Sequence, residues 1–289
     1  MSLTVEIAPN VFLNRMGFGT FNLKGESVKK ALDSALSVGY RLFDTAQLYE
    51  NEAEIGTALQ ELLPKHGLKR EDIFITTKIH KDYLGTDKLK ICLQQSLKDL
   101  KTTYVDLFLV HFPKPGFTGN SDPINKEYRK EAWKLLEDFK ENGYTRAIGV
   151  SNYEIRHLEE MKEYAKVFPA LNQCEFHPHM LRIELVEYCR GQEIHFQAFT
   201  SLGRNSPELL EEPVIKNIAQ KHKATVCQIL LAWALQQGFS VLPKSSNPDR
   251  IKENFDSQKI KLTQDEIQQI RNLDKGIKRY SNSAPWEVD

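Results

Sequence analysis

Four residues in the first part of the chain, Asp44, Tyr49, Lys78 and His111, are of the types that move protons. Asp44, Lys78 and His111 each stand at the end of a short β-rich run, where a core would not choose a charge, because an unpaired buried charge costs several kcal/mol. Taken singly, each has an ordinary reading: a solvated loop charge for Asp44 or Lys78, a hydrogen-bonded structural histidine, a helix-packing tyrosine. Taken together they satisfy one another and suit proton donation by a phenol. Free tyrosine has a pKa near 10. A neighbouring Lys78 ammonium is expected to lower it, with Asp44 keeping Lys78 charged. His111 is placed to orient a carbonyl oxygen or to relay the proton. Donation to a carbonyl oxygen is half of a carbonyl reduction. The other half is a hydride, which no side chain supplies, so a nicotinamide cofactor is implied.

Such a cluster needs elements that bring distant residues to one face. Short β-rich runs occur at residues 16–18, 42–44, 73–77, 105–110, 147–150, 170–175, 195–199 and 240–242. Each precedes a stretch of helical period, for example 26–38, 52–63, 86–100 and 126–142. Gly39 and Gly143 fall where left-handed helix ends are expected, Thr86 where a helix should start, and Thr263 with Glu266 forms a capping box. Eight strand–helix units imply a parallel sheet with helices outside, and a closed (β/α)8 TIM barrel of the α/β class suits them best. The rival is an open dinucleotide-binding sheet: Gly17 and Gly19 begin a G-x-G pattern, with Asp44 as the ribose-binding acid. There Asn22 replaces the third glycine, and eight units exceed that fold. Residues 4–7 and 11–13 flank Ala8, Pro9 and Asn10 as a short N-terminal β-hairpin expected to plug one end. No linker or composition shift divides residues 1–289, so one domain is expected.

In a barrel the reactive groups gather where strands end. Reading those positions gives Asp44, Lys78, His111, Ser151, Asn152, Gln173, Glu175, Thr200, Ser201, Lys244, Ser245 and Ser246 as one polar ring. Composition is consistent with a soluble enzyme. The 289 residues carry 39 Lys+Arg and 39 Asp+Glu, so the basic excess of a nucleic-acid binder is missing. No run reaches the ~18 apolar residues of a membrane span. The opening residues lack the n- and h-regions of a secretory signal. Cys92, Cys174, Cys189 and Cys227 are irregularly spaced, which fits free thiols in a reducing compartment and a cytoplasmic location.

Several long motifs in order resemble the aldo-keto reductase family over almost the whole chain. They are GYRLFDTAQLYENE at 39–52, TTK at 76–78, DLFLVHFP at 106–113, GVSNY at 149–153, NQCEFHP at 172–178 and PKSSNPDRIKEN at 243–254. The resemblance implies that Asp44, Tyr49, Lys78 and His111 form a catalytic tetrad with Tyr49 as general acid. It implies NADPH contacts from Gly19, Thr20, Phe21, Asp44 and Phe199, and a grip on the nicotinamide carboxamide by Ser151, Asn152 and Gln173. Thr200, Ser201, Leu202 and Gly203 would follow the pyrophosphate. Lys244, Ser245, Ser246 and Arg250 would hold the adenosine 2′-phosphate, with Glu253 and Asn254 on adenine. Two cations and a hydroxyl favour a phosphomonoester, hence NADPH over NADH.

Departures from the family pattern bear on the substrate. Phe199 stands where a stacking tyrosine is usual; its ring face suffices for stacking. Phe21, His80 and Phe112 take positions often occupied by tryptophan, and with His111 they are expected to line the substrate pocket. The chain runs only a little past Trp286, so a short C-terminal loop is expected. The implied partner is a small carbonyl substrate and the implied state a monomer, with neither nucleic acid nor membrane involved. Two alternatives stand beside this reading. One is a slow cofactor-sensing subunit on the same fold. The other is a metal-dependent hydrolase using Glu175, His177 and His179, although three or four ligands must converge for that.

Overall fold

Alternation of apolar and polar side chains makes Thr4–Ala8 (β1) and Val11–Asn14 (β2) an antiparallel hairpin, with Val5 opposite Leu13 and Glu6 opposite Phe12. Asn10 turns the chain at a φ of 61°, a region asparagine tolerates. The computed structural model describes residues 3–282 and 284–289.

Eight parallel strands follow: Gly17–Gly19 (β3), Leu42–Asp44 (β4), Phe74–Ile79 (β5), Val105–Val110 (β6), Thr145–Ser151 (β7), Leu171–Glu175 (β8), His195–Phe199 (β9) and Ser240–Val241 (β10). Each pairs with its sequence neighbour. A parallel bridge between Met16 and Val241 joins the last strand to the first and closes the barrel. Strand positions match the sequence reading, with ends displaced by one or two residues.

The outer layer is helical. Helix Glu26–Val38 (α1) buries Val28, Ala31, Leu32, Ala35 and Leu36, the i, i+3, i+4 stripe of an amphipathic helix, and ends at Gly39 with a φ of 111°. Helices Glu52–Lys65 (α2), Lys88–Asp99 (α3), Ile124–Glu141 (α4), Ile155–Met161 (α5) and Ile183–Gly191 (α6) follow the next strands. The third starts at Lys88 rather than Thr86, because the Thr86 hydroxyl donates to the Tyr83 carbonyl (2.8 Å) and serves the preceding turn. After β9 come Pro207–Leu210 (α7), Pro213–His222 (α8) and Val226–Gln236 (α9); after β10 come Pro248–Asp256 (α10) and Gln264–Arg271 (α11). The capping box at Thr263 and Glu266 forms in both directions, at 3.2 and 2.9 Å.

Side chains two apart on a strand share a face, and the barrel interior changes character along that period. Leu42 is followed inward by Asp44, Phe74 by Thr76 and Lys78, and Leu171 by Gln173. The apolar members, with Leu107, Leu109 and Ala147, make a core that Ile7, Val11 and Leu13 of the hairpin cover. The hairpin therefore plugs one end, and the polar members lie toward the other.

Candidate active site

Three of the groups are delivered by strand ends. Asp44 closes β4, Lys78 lies near the end of β5, and His111 follows β6 directly. Tyr49 comes from a 3-10 turn, Gln47–Tyr49, that several hydrogen bonds hold against the barrel. Gln47 Nε2 donates to the Cys92 carbonyl (2.5 Å) and to Ser96 Oγ (2.8 Å), and Gln47 Oε1 accepts from the His80 amide (2.7 Å). On the far side of the turn, Asn51 donates to the carbonyls of Thr20 and Leu23 and accepts from the Thr45 hydroxyl. Gln47, Thr45 and Asn51 thus position the turn. The sequence reading assigned them no role, although all three fall inside its first motif.

At the centre, Lys78 Nζ is 2.6 Å from Asp44 Oδ1, 2.8 Å from the Thr45 carbonyl and 3.4 Å from the Tyr49 hydroxyl. Lys78 is fully buried and Asp44 nearly so. Gln173 Nε2 donates to the other Asp44 oxygen (2.8 Å). The Tyr49 ring meets Phe21 edge to face at 5.1 Å and His111 at 5.8 Å. Asn152 Nδ2 donates to the His111 carbonyl and to Ser151 Oγ, both at 3.0 Å, and Ser151 Oγ donates to the Gln173 carbonyl (2.9 Å).

Electrostatics correct one expectation. Burial raises the pKa of the Tyr49 phenol, and the Lys78 charge opposes that rise without reversing it. Burial alone would lower the Lys78 pKa, but Asp44 and Tyr49 together raise it, so the ammonium stays charged. His111 is held well below its ordinary value, first by burial and then by the charge of Lys78. It is therefore a neutral imidazole at neutral pH. Its buried Nδ1 has no hydrogen-bond partner among the described residues. The cluster can hold a protonated phenol beside a cation, with a neutral imidazole at its edge.

A cleft of about 550 Å³ opens from this cluster. Of the residues expected at the site, Gly19, Thr20, Phe21, Asp44, Tyr49, His111, Ser151, Asn152, Gln173, Phe199, Thr200, Ser201, Leu202 and Lys244 line it. Lys78 lies just behind this lining. Gly203 is buried in the same loop as Leu202, packed on Leu209 and Tyr280. Ser245, Ser246 and Arg250 continue outward from Lys244 around the start of α10, where Asn247 Oδ1 accepts from the Arg250 amide (3.1 Å). Glu253 accepts from the Thr225 hydroxyl (2.7 Å), and Asn254 is buried on the same helix. His80 and Phe112 do not line the cleft. His80 Nδ1 accepts from the Asp82 amide, and its ring packs on Tyr83 at 4.9 Å. Asn22, Arg204, Asn205 and Asn282 line the cleft without having been expected there.

Glu175, His177 and His179 do not converge on one point. Glu175 accepts from His177 (3.1 Å) and from the Tyr280 amide (2.6 Å), while His179 turns to Tyr280 and Glu212. Among the described residues no group of three His, Cys, Asp or Glu side chains could hold a metal. These residues instead tie the C-terminal segment to β8, and so place Asn282 on the rim of the cleft.

Known proteins resemble the chain in sequence and in fold. Residues 15–275 match the model of the aldo/keto reductase family. The chain is 36% identical over 273 residues to glyoxal reductase of Bacillus subtilis, covering 94% of this chain and 93% of that protein. It is 34% identical over 301 residues to an NADPH-dependent D-xylose reductase of Meyerozyma guilliermondii, covering 95% and 94%. The solved structure of the aldose reductase from Schistosoma japonicum superposes with a TM-score of 0.83 at 33% identity, covering 92% of this chain and 90% of that one. With a matching family model, a matching barrel and relatives over nearly its full length, the chain belongs to the aldo/keto reductase family.

Proposed function

We propose that the chain is an NADPH-dependent reductase of aldehydes and ketones, with Tyr49 giving the proton to the carbonyl oxygen. The observation that carries this reading is the Lys78 ammonium, clamped by Asp44 at 2.6 Å and lying 3.4 Å from the Tyr49 hydroxyl where the cleft begins. Burial keeps the Tyr49 proton on the phenol until a substrate oxygen asks for it. As charge develops on the Tyr49 oxygen during transfer, Lys78 is already in place to stabilise it, with no reorganisation needed at that moment. Neutral His111 donates a hydrogen bond to the same carbonyl oxygen and so fixes which face of the carbonyl is presented.

The remaining residues fit a nicotinamide cofactor. Asn152 Oδ1 and Gln173 Oε1 accept no hydrogen bond from the described residues, and both side chains line the cleft, which suits the N–H donors of a carboxamide. Phe199 offers a flat apolar face beside them. Beyond β10, Lys244 and Arg250 are exposed and form no ion pair among the described residues. They are two cations beside the asparagine-capped start of α10, suited to a 2′-phosphate. Bound there, NADPH supplies the hydride that no side chain can.

The test follows NADPH consumption with a panel of aldehydes and ketones, for the wild type and for Tyr49→Phe. The reading expects turnover to fall by about 10³-fold or more with the cofactor Kd within about threefold, because the phenol acts only in the transition state. Turnover that survives Tyr49→Phe would remove the proton-donor role. A wild type that binds neither NADPH nor NADH would remove the reductase reading.

A further inference from the structure

The rim of the cleft carries a cation that the proton-transfer cluster leaves unused. Arg204 lies in the loop after β9, lines the cleft, and is exposed. Its guanidinium carbon is 5.7 Å from the Phe21 ring centroid, and Phe21 in turn packs on Tyr49. Arg204 is thus stationed over Phe21 and Tyr49, at the carbonyl end of the cleft. The guanidinium has no carboxylate partner among the described residues, and Asp44, the only acidic residue lining the cleft, is occupied by Lys78 and Gln173. The loop holds Arg204 at a φ of 52° and Asn205 at 61°, with Thr200 at 56°. Non-glycine residues in that region cost about 1 kcal/mol or more each. A loop that merely connected two elements would gain nothing from this conformation, whereas here it swings a charged side chain onto the rim.

We propose that Arg204 is a specificity-determining residue that recognises a carboxylate on the substrate. The preferred class is aldehydes or ketones whose carboxylate is set off from the carbonyl by a short apolar spacer. The carbonyl oxygen meets Tyr49 and His111, the spacer lies along the exposed face of Phe21, and the carboxylate meets the guanidinium fork. Arginine suits this task because its donors match the two carboxylate oxygens. The proposal rests on the reductase reading for the placement of the carbonyl.

Matched pairs test it with NADPH saturating: benzaldehyde against 4-carboxybenzaldehyde, and butanal against 4-oxobutanoate. The wild type should favour the carboxylated member of each pair. Arg204→Gln should raise KM for the carboxylated members by about tenfold or more. It should leave kcat, the neutral members and the Kd for NADPH within about threefold, and Arg204→Lys should restore part of the loss. Equal losses for neutral and carboxylated members would overturn the proposal. So would a weakened NADPH Kd, which would reassign Arg204 to the cofactor phosphates. Calorimetric binding of 4-carboxybenzyl alcohol and benzyl alcohol to the wild type and to Arg204→Gln keeps the question separate from turnover. A carboxylate preference that the variant loses supports Arg204 even if no aldehyde is reduced, and no preference in the wild type overturns it.

Discussion

Lys78 has three N–H donors and each has a partner: Asp44 Oδ1, the Thr45 carbonyl and the Tyr49 hydroxyl. With its geometry used up, the ammonium has no route to solvent and serves as a fixed positive charge under the phenol. The sequence showed that Lys78 and Asp44 stand at strand ends, and so showed the pairing. It did not show that desolvation of the half-buried phenol would outweigh the Lys78 charge, which is why the direction of the Tyr49 shift came out opposite to expectation. The corrected direction has a consequence for pH. A raised Tyr49 pKa means that the donor stays protonated through neutral and mildly alkaline pH, and reduction loses its acid only above about pH 10, the ordinary range of tyrosine. A lowered His111 pKa means that the imidazole carries no proton to lose as pH rises from about 6 to 8. The kcat for reduction should accordingly be level from about pH 6 to 9. Steady-state rates at saturating substrate check this; a limb near pH 6.5 that disappears in His111→Gln would show that His111 is charged and shares the proton.

At the scale of elements, the helical layer sits where it does because a few small residues permit close approach. Gly56, on α2, faces the end of α3. A Cβ there would lie 2.3 Å from the Asp99 carbonyl oxygen and 2.7 Å from the Leu100 Cα, both backbone atoms with little freedom to move. Gly56→Ala should force the two helices apart and destabilise the fold by about 2–3 kcal/mol, within the range for overpacking. Neither helix lines the cleft, but α3 holds Gln47 through the Cys92 carbonyl and Ser96, so kcat should fall to the extent that the shift carries the Tyr49 turn with it. Chemical denaturation reads the first quantity, and an unchanged midpoint would mean that the helices separate freely. Hydrophobic periodicity made the strands and most helices legible, since both are set by which side faces the core. It said nothing of α7, a single turn at Pro207–Leu210, or of the left-handed residues from Thr200 to Asn205. Those depend on loop geometry, which no periodic pattern records, and so Arg204 and Asn205 were not anticipated at the cleft.

Across the whole molecule the two ends of the barrel do different work, and one motif serves both. Asp106 and His111 lie at opposite ends of the β6 run, so the stretch that delivers an imidazole to the cleft also delivers a carboxylate to the plugged end. There Asp106 is completely buried and accepts from Arg70 (2.8 Å), Arg146 (2.9 Å) and the Ile75 amide (2.9 Å), while Arg146 also donates to the Asn10 carbonyl of the hairpin turn. One side chain thereby ties β5, β6, β7 and the hairpin together. The sequence placed Asp106 in a motif with His111 but could not reveal this division of labour, because the partners come from residues 10, 70 and 146. Removing the carboxylate in Asp106→Ala leaves Arg70 without its counter-charge and the Ile75 amide without its acceptor. The cost should be about 3–5 kcal/mol, the range for breaking a buried ion pair from one side. Both arginines keep some contact with water, which favours the lower end. Denaturant titration should show that loss, and kcat measured well below the unfolding transition should stay within about twofold of wild type, since the clamp lies beyond the apolar layer that separates it from Lys78 and Tyr49. A variant that kept its stability would show that water replaces the carboxylate at no cost. A variant that kept its stability but lost turnover would show that the plugged end communicates with the cleft through β5, the strand that carries Lys78.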